Sequence, residues 1–88
     1  MYQPVHTSAF KKDIKRYRHS RYTKAIKEIL SKLINGEKLP ERCNDHKLTE
    51  NFKGYWECHV KDDLLIVYTT EGEKIYFARL GTHAEVFD

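Results

Sequence analysis

The sequence predicts an α+β domain, an N-terminal helical hairpin packed on a small antiparallel sheet. Two changes of period predict it. Apolar residues recur every three or four positions from Phe10 to Ile34, and from Tyr55 to Leu80 they alternate or run continuously in stretches of strand length. Length bounds the answer, because a chain of 88 residues has room for one domain over residues 1–88. Such a domain buries only roughly 60–65% of its unfolded surface, so one thin core is expected and no deep cofactor pocket.

The elements follow in order. Tyr2 to Val5 reads as a short edge strand, after which Thr7 or Ser8 can cap a helix with Phe10, Ile14 and Tyr17 on one side. His19-Ser20 breaks that helix. Tyr22, Ile26, Ile29, Leu30, Leu33 and Ile34 then form the buried stripe of a second helix, which Asn35-Gly36 stops. From Glu37 to Gly54 neither period persists, and Pro40, Asn44, Asp45 and Gly54 mark a long surface loop. A strand follows with Trp56, Cys58 and Val60 on one face and Tyr55, Glu57 and His59 on the other. Lys61-Asp62-Asp63 turns the chain into Leu64-Leu65-Ile66-Val67-Tyr68, a continuous apolar run that reads as a central strand. After a turn at Thr70–Glu73, a third strand from Lys74 to Leu80 places Ile75, Phe77 and Arg79 on one face and Tyr76, Ala78 and Leu80 on the other. Trp56, Tyr68 and Phe77 read as core.

Composition narrows the function classes. No apolar run reaches the length of a membrane span, and the opening residues carry no apolar signal region, so a cytoplasmic protein without membrane association is expected. Cys43 and Cys58 form no Cys-x-x-Cys pair and read as reduced thiols, the competing reading being one disulfide between loop and strand. Net charge is +3, but residues 1–42 carry eleven basic and four acidic side chains, a net +7, and the remainder is −4. Asp13 is the one acid among eight bases between Lys11 and Lys27. This asymmetry favours a polyanion such as RNA, with Lys11, Lys15 and Lys24 on the helices and Lys53 in the loop as candidate contacts, against the plainer reading of a solvated helix face.

Five histidines occur, and His46, His59 and His83 each have polar neighbours in the second half of the chain. A meander brings strand ends together, so these three can converge at one edge of the sheet. Asp45-His46-Lys47-Leu48, His59-Val60-Lys61-Asp62-Asp63-Leu64-Leu65-Ile66-Val67-Tyr68 and Arg79-Leu80-Gly81-Thr82-His83-Ala84-Glu85-Val86-Phe87 resemble three ordered signatures of the YafQ-type toxins. These are a branch of the RelE/ParE superfamily of bacterial type II toxin–antitoxin modules. The resemblance implies a RelE-like toxin fold and a ribosome-dependent endoribonuclease that cleaves mRNA in the decoding site and is held inactive by a cognate antitoxin. It also implies that His46, His59, Asp63, His83 and Phe87 occupy active-site positions. His6 and His19 fall outside the matched motifs. Two positions depart from the pattern: Trp56 stands where many relatives have Arg, and Asp62 where Pro is usual; if that Arg contacts phosphate, Trp56 has lost the contact, and if not, Trp56 adds packing on a covered face, the reading that strand parity favours.

RNA can be cut without a metal ion, because its own 2′-OH attacks phosphorus when a base takes that proton and an acid protonates the leaving 5′-oxygen. Imidazole suits both tasks near neutral pH. His83 is assigned as the acid, Asp63 or His59 as the base, His46 and Arg79 as phosphate holders, and Phe87 as a group that stacks on a base. No cofactor is called for, and a zinc reading of His46, His59, Asp63 and His83 lacks the usual local ligand spacing. A non-catalytic or gyrase-directed member of the superfamily is the alternative, one with no need of this histidine set. Charge reversal at Lys11, Lys15 and Lys24 should weaken association with RNA or ribosomes without unfolding the domain. Binding curves at low and physiological salt check this, and a curve indifferent to salt would refute it.

Overall fold

The computed structural model describes residues 1–43, 45–49 and 52–87. Five strands form one sheet: β1 (Gln3–His6), β2 (His46–Lys47), β3 (Trp56–Lys61), β4 (Leu64–Glu71) and β5 (Lys74–Gly81), in the order β1-β5-β4-β3-β2. The helices are α1 (Ser8–Arg16), α2 (Thr23–Asn35) and the short α3 (His83–Phe87). β3, β4 and β5 make the expected antiparallel meander, and the edge strand β1 joins it parallel to β5.

The hairpin forms for the reasons its sequence gave. Thr7 caps α1, its Oγ1 accepting the Phe10 N–H at 3.1 Å while standing 3.0 Å from the carbonyl oxygens of Phe77 and Ala78. One threonine therefore starts the helix and ties it to β5. His19, at φ 62°, makes the break between the helices. α2 ends in a Schellman motif, with Gly36 left-handed at φ 68°, its N–H on the Leu33 carbonyl and the Glu37 N–H on that of Lys32.

The core has two parts, one on each face of the sheet. Phe10, Ile26, Ile29 and Leu33 of the helices pack with Cys43, Cys58, Val60, Leu64, Ile66, Tyr68, Ile75, Phe77 and Leu80. On the other face Leu65, Val67, Ala78 and Val86 pack with Leu48, Phe52, Tyr55 and Phe87. Leu64–Tyr68 is thus buried on both faces, as its unbroken apolar run requires. Cys43 and Cys58 are free thiols in the first cluster, and burial pushes both pKa values up, which leaves them poor nucleophiles.

Four expectations change. The stretch read as a long loop from Glu37 to Gly54 holds a 3₁₀ turn (Glu41–Cys43) and β2, whose His46 pairs with Glu57 and Lys47 with Trp56. Two residues are too few to show a period; Asn44 lies outside the described residues. In β5 the expected alternation stops at Ala78, because Val67 pairs with Arg79 while Tyr68 pairs with Phe77. That bulge returns Leu80 to the cluster of Ile75 and Phe77 and leaves Ala78 in the other. Trp56 is 37% exposed and not core; it opens β3 beside the two-residue edge strand and lines a surface groove with Tyr2, Leu39 and Tyr68. The last turn is Gly72-Glu73 alone, since Thr70 and Glu71 pair with Ile75 and Lys74.

β1 stops opposite Phe77, and α1 completes the edge of β5 beyond it. Asp13, 3% exposed, accepts the Leu80 N–H at 2.9 Å through Oδ2 and takes Arg79 Nε at 2.8 Å and Nη2 at 3.3 Å. The single acid of the basic stretch is therefore the one turned inward. Asp13→Ala should cost about 3 kcal/mol of stability, because a guanidinium and a buried N–H lose their acceptor together. Urea denaturation measures it; a loss below about 0.5 kcal/mol would place Asp13 among ordinary surface positions.

Candidate active site

The site lies on the face of the sheet opposite α1 and α2. On β3, Cys58 and Val60 face the helices, so Glu57 and His59 face the other way. β2 sets His46 directly across from Glu57, the β3–β4 turn carries Asp63, and α3 begins with His83. These side chains meet. Glu57 is 3% exposed, and its Oε2 lies 3.0 Å from His46 Nε2 and 3.4 Å from His59 Nε2, while Oε1 lies 3.4 Å from His83 Nε2. His83 Nδ1 in turn lies 3.4 Å from Asp63 Oδ1.

A buried carboxylate needs donors, and three imidazole nitrogens lie within 3.4 Å of this one. The same contacts fix each ring's orientation, as carboxylates do for catalytic and metal-bound histidines. His83 has a carboxylate at both ring nitrogens, so it can donate from either. The His59 and His83 centroids stand 6.1 Å apart, and Phe87 lies 5.4 Å from His83 and 6.0 Å from Phe52. The arrangement places two imidazoles side by side, with an aromatic ring beside one of them and a shared carboxyl group beneath.

The structure brings together His46, His59, Asp63, His83 and Phe87. It places Arg79 in its ion pair with Asp13, which holds the guanidinium pKa up, with Nη2 also donating to the Glu85 carbonyl at 3.3 Å. Lys53 is exposed in the turn before β3, and Lys11, Lys15 and Lys24 are exposed on helices that cover the other face. Glu57 was missed as a site residue. Its signal was present in the alternation that put it on the face of His59, but parity alone does not say that the face is covered.

α3 is held at both flanks. Val86 enters the second core cluster, and Glu85 Oε1 accepts the Thr82 N–H at 2.9 Å and the Tyr17 hydroxyl. These two donors, the hydroxyl first, hold the Glu85 carboxyl below the usual carboxylate range. Burial, with Glu85 adding to it, pushes Tyr17 up to about 12.

A five-stranded, largely antiparallel sheet with a helical layer on one face is the RelE-like toxin fold. The YoeB–YefM complex from Staphylococcus aureus shares the fold, with 21% identity and a TM-score of 0.75 over 94% of this chain and 98% of that one. Residues 2–88 match the family described as bacterial toxin of type II toxin-antitoxin system, YafQ, and the chain belongs to that family. The mRNA interferase toxin YafQ of Escherichia coli strain B / BL21-DE3 is 35% identical over 85 residues, covering 93% of this chain and 91% of the relative. The YafQ structure in the Escherichia coli DinJ–YafQ complex superimposes with a TM-score of 0.87 at 32% identity, covering 100% of both chains.

Tyr17 gives the site a pH signature. Its pKa is raised on folding, so its contribution to stability is whole below pH 10, its ordinary value, and is lost as pH rises from there toward about 12. The Tyr17→Phe variant should lose that part of the alkaline decline. Urea midpoints measured across pH 9–12 decide it, and an alkaline limb of unchanged slope would detach Tyr17 from the effect.

Proposed function

We propose that this toxin, an mRNA interferase like its relatives, cuts mRNA in the ribosomal decoding site by attack of the RNA's own 2′-OH. The observation that carries the reading is the pair of imidazoles 6.1 Å apart, both turned toward one buried carboxylate. A phosphodiester set between them has a base on one side and an acid on the other. His59 takes the 2′-OH proton, the O2′–P bond forms and the P–O5′ bond breaks, and His83 protonates the leaving 5′-oxygen. The products are a 2′,3′-cyclic phosphate and a 5′-hydroxyl, and side chains supply every proton movement, so the step requires no metal ion.

Contacts within the cluster support the remaining assignments. Asp63 sits on His83 Nδ1 and so orients the acid, which favours His59 over Asp63 as the base. His46, half exposed beside Glu57, is assigned to hold a phosphoryl oxygen. Arg79, committed through Nε and Nη2 to Asp13, contributes positive charge more than a two-pronged grip. Phe87 supplies a face on which a base stacks.

The partners follow from the same reading. The DinJ–YafQ complex of Escherichia coli pairs a relative with a second protein. An acidic, partly disordered antitoxin is the corresponding partner here, folding on the basic helices or the sheet edge as it binds. Among the described residues no helix is long and apolar enough to cross a membrane, which agrees with a cytoplasmic toxin acting on ribosomes.

His83 is half exposed, so His83→Gln should change stability by no more than about 0.5–1 kcal/mol. It cannot give up a proton as imidazole does, and cleavage should fall roughly a hundredfold or more. Single-turnover cleavage on programmed ribosomes beside a thermal melt makes the comparison. Near-wild-type cleavage by the folded variant would remove His83 from the chemistry.

A further inference from the structure

We infer that Glu85 is a positioning residue for His83 and Phe87, its side chain folding back over Gly81 to pin α3 to the end of α1. The inference rests on the reading of His83 as the general acid. Five residues are too few for a helix to hold its shape by propensity, so α3 depends on what it touches. Val86 fixes its depth. Phe87 packs beside it against the same cluster, and Glu85 adds the polar contacts that tie the helix to α1.

The contacts converge on that one side chain. Thr82 and Glu85 form a reciprocal capping box: Glu85 Oε1 accepts the Thr82 N–H at 2.9 Å, and the Glu85 N–H donates to Thr82 Oγ1 at 3.3 Å. The same carboxylate then reaches out of its own helix. Oε1 also accepts the Tyr17 hydroxyl, and Oε2 accepts Arg16 Nη1 at 3.0 Å, both from the C-terminal end of α1. The Glu85 carbonyl accepts Arg79 Nη2, which joins the pin to the buried Asp13 pair.

Gly81 makes the fold-back possible. Its backbone is not left-handed, but a Cβ there would stand 3.0 Å from Glu85 Oε1, 3.1 Å from Glu85 Cβ and 3.3 Å from Val86 Cγ2. A side chain at this position would press on Glu85 and require it to give by a few tenths of an ångström. His83 opens the helix so placed, with Glu57 and Asp63 facing its two nitrogens and His59 and Phe87 beside the ring. A shift of about 1 Å at such a group is enough to cost a large factor in rate.

The test compares Glu85→Gln, Tyr17→Phe and the double variant of the full chain. Gln keeps the shape of Glu85 but has one acceptor oxygen and no charge, so with that oxygen on Thr82 and Tyr17 its NH2 group faces the Arg16 guanidinium. The single-turnover rate at saturating ribosomes should fall about tenfold or more in Glu85→Gln and less in Tyr17→Phe, with the half-saturating ribosome concentration within about twofold of wild type. The double variant should be no slower than Glu85→Gln. In the free protein, the NMR titration of the His83 ring should be displaced in Glu85→Gln while those of His6 and His19 stay put. Wild-type rates with an unmoved His83 titration would overturn the inference. So would a rate loss that tracks a lowered melting temperature and disappears in a cooler assay. If the wild-type chain fails to cut on ribosomes, the proposed function falls, and the His83 titration still decides the role of Glu85.

Discussion

β4 is the constraint from which the rest follows. Leu64, Ile66 and Tyr68 point to one side and Leu65 and Val67 to the other, and all are buried, so both faces of the sheet need a cover. In a chain this short, α1 and α2 use up the helical material on one face. The second face is closed only by the segment before β3 and by α3, elements too small to roof a whole sheet. The histidine cluster occupies the part left open. Core and cleft are two consequences of one strand's composition.

Two acids are buried in the described structure, and their surroundings separate structure from chemistry. Asp13 takes a guanidinium and a backbone N–H, permanent donors that carry no proton near neutral pH to give away. Glu57 faces three imidazoles, side chains whose ring nitrogens can serve as donor or acceptor. A carboxylate of the first kind fixes an edge. One of the second kind gathers three histidines on the face of the sheet opposite the helices.

What the sequence disclosed was local. Thr7, the stripe from Ile26 to Leu33, Asn35-Gly36 and the apolar run of β4 each carry their conformation in a few neighbouring residues, and each forms as read. The site residues His46, His59, Asp63, His83 and Phe87 were found by motif, since nothing in their spacing says that a strand pair, a turn and a short helix bring them together. Glu57 was hidden because its burial depends on β2, a two-residue strand with no period of its own. Trp56 was misread for the complementary reason: parity gives the face, but not how far along the strand the helices cover it. The bulge at Ala78 escapes any alternation rule, and it decides that Leu80, not Arg79, joins the core of Phe77.

The run from Arg79 to Phe87 shows how densely such a chain must use its residues. Arg79 neutralises the buried Asp13, Leu80 enters the first core cluster, and Gly81 leaves the space across which Glu85 folds. Thr82 caps α3, His83 faces two carboxylates, Val86 enters the second cluster, and Phe87 walls the site. Only Ala84 makes no contact that this arrangement uses. With one residue inserted, a helix advances about 100° per position, so His83 and Val86 could not both keep their places. The spacing of Gly81, His83 and Phe87 in this chain is therefore constrained by the packing of α3.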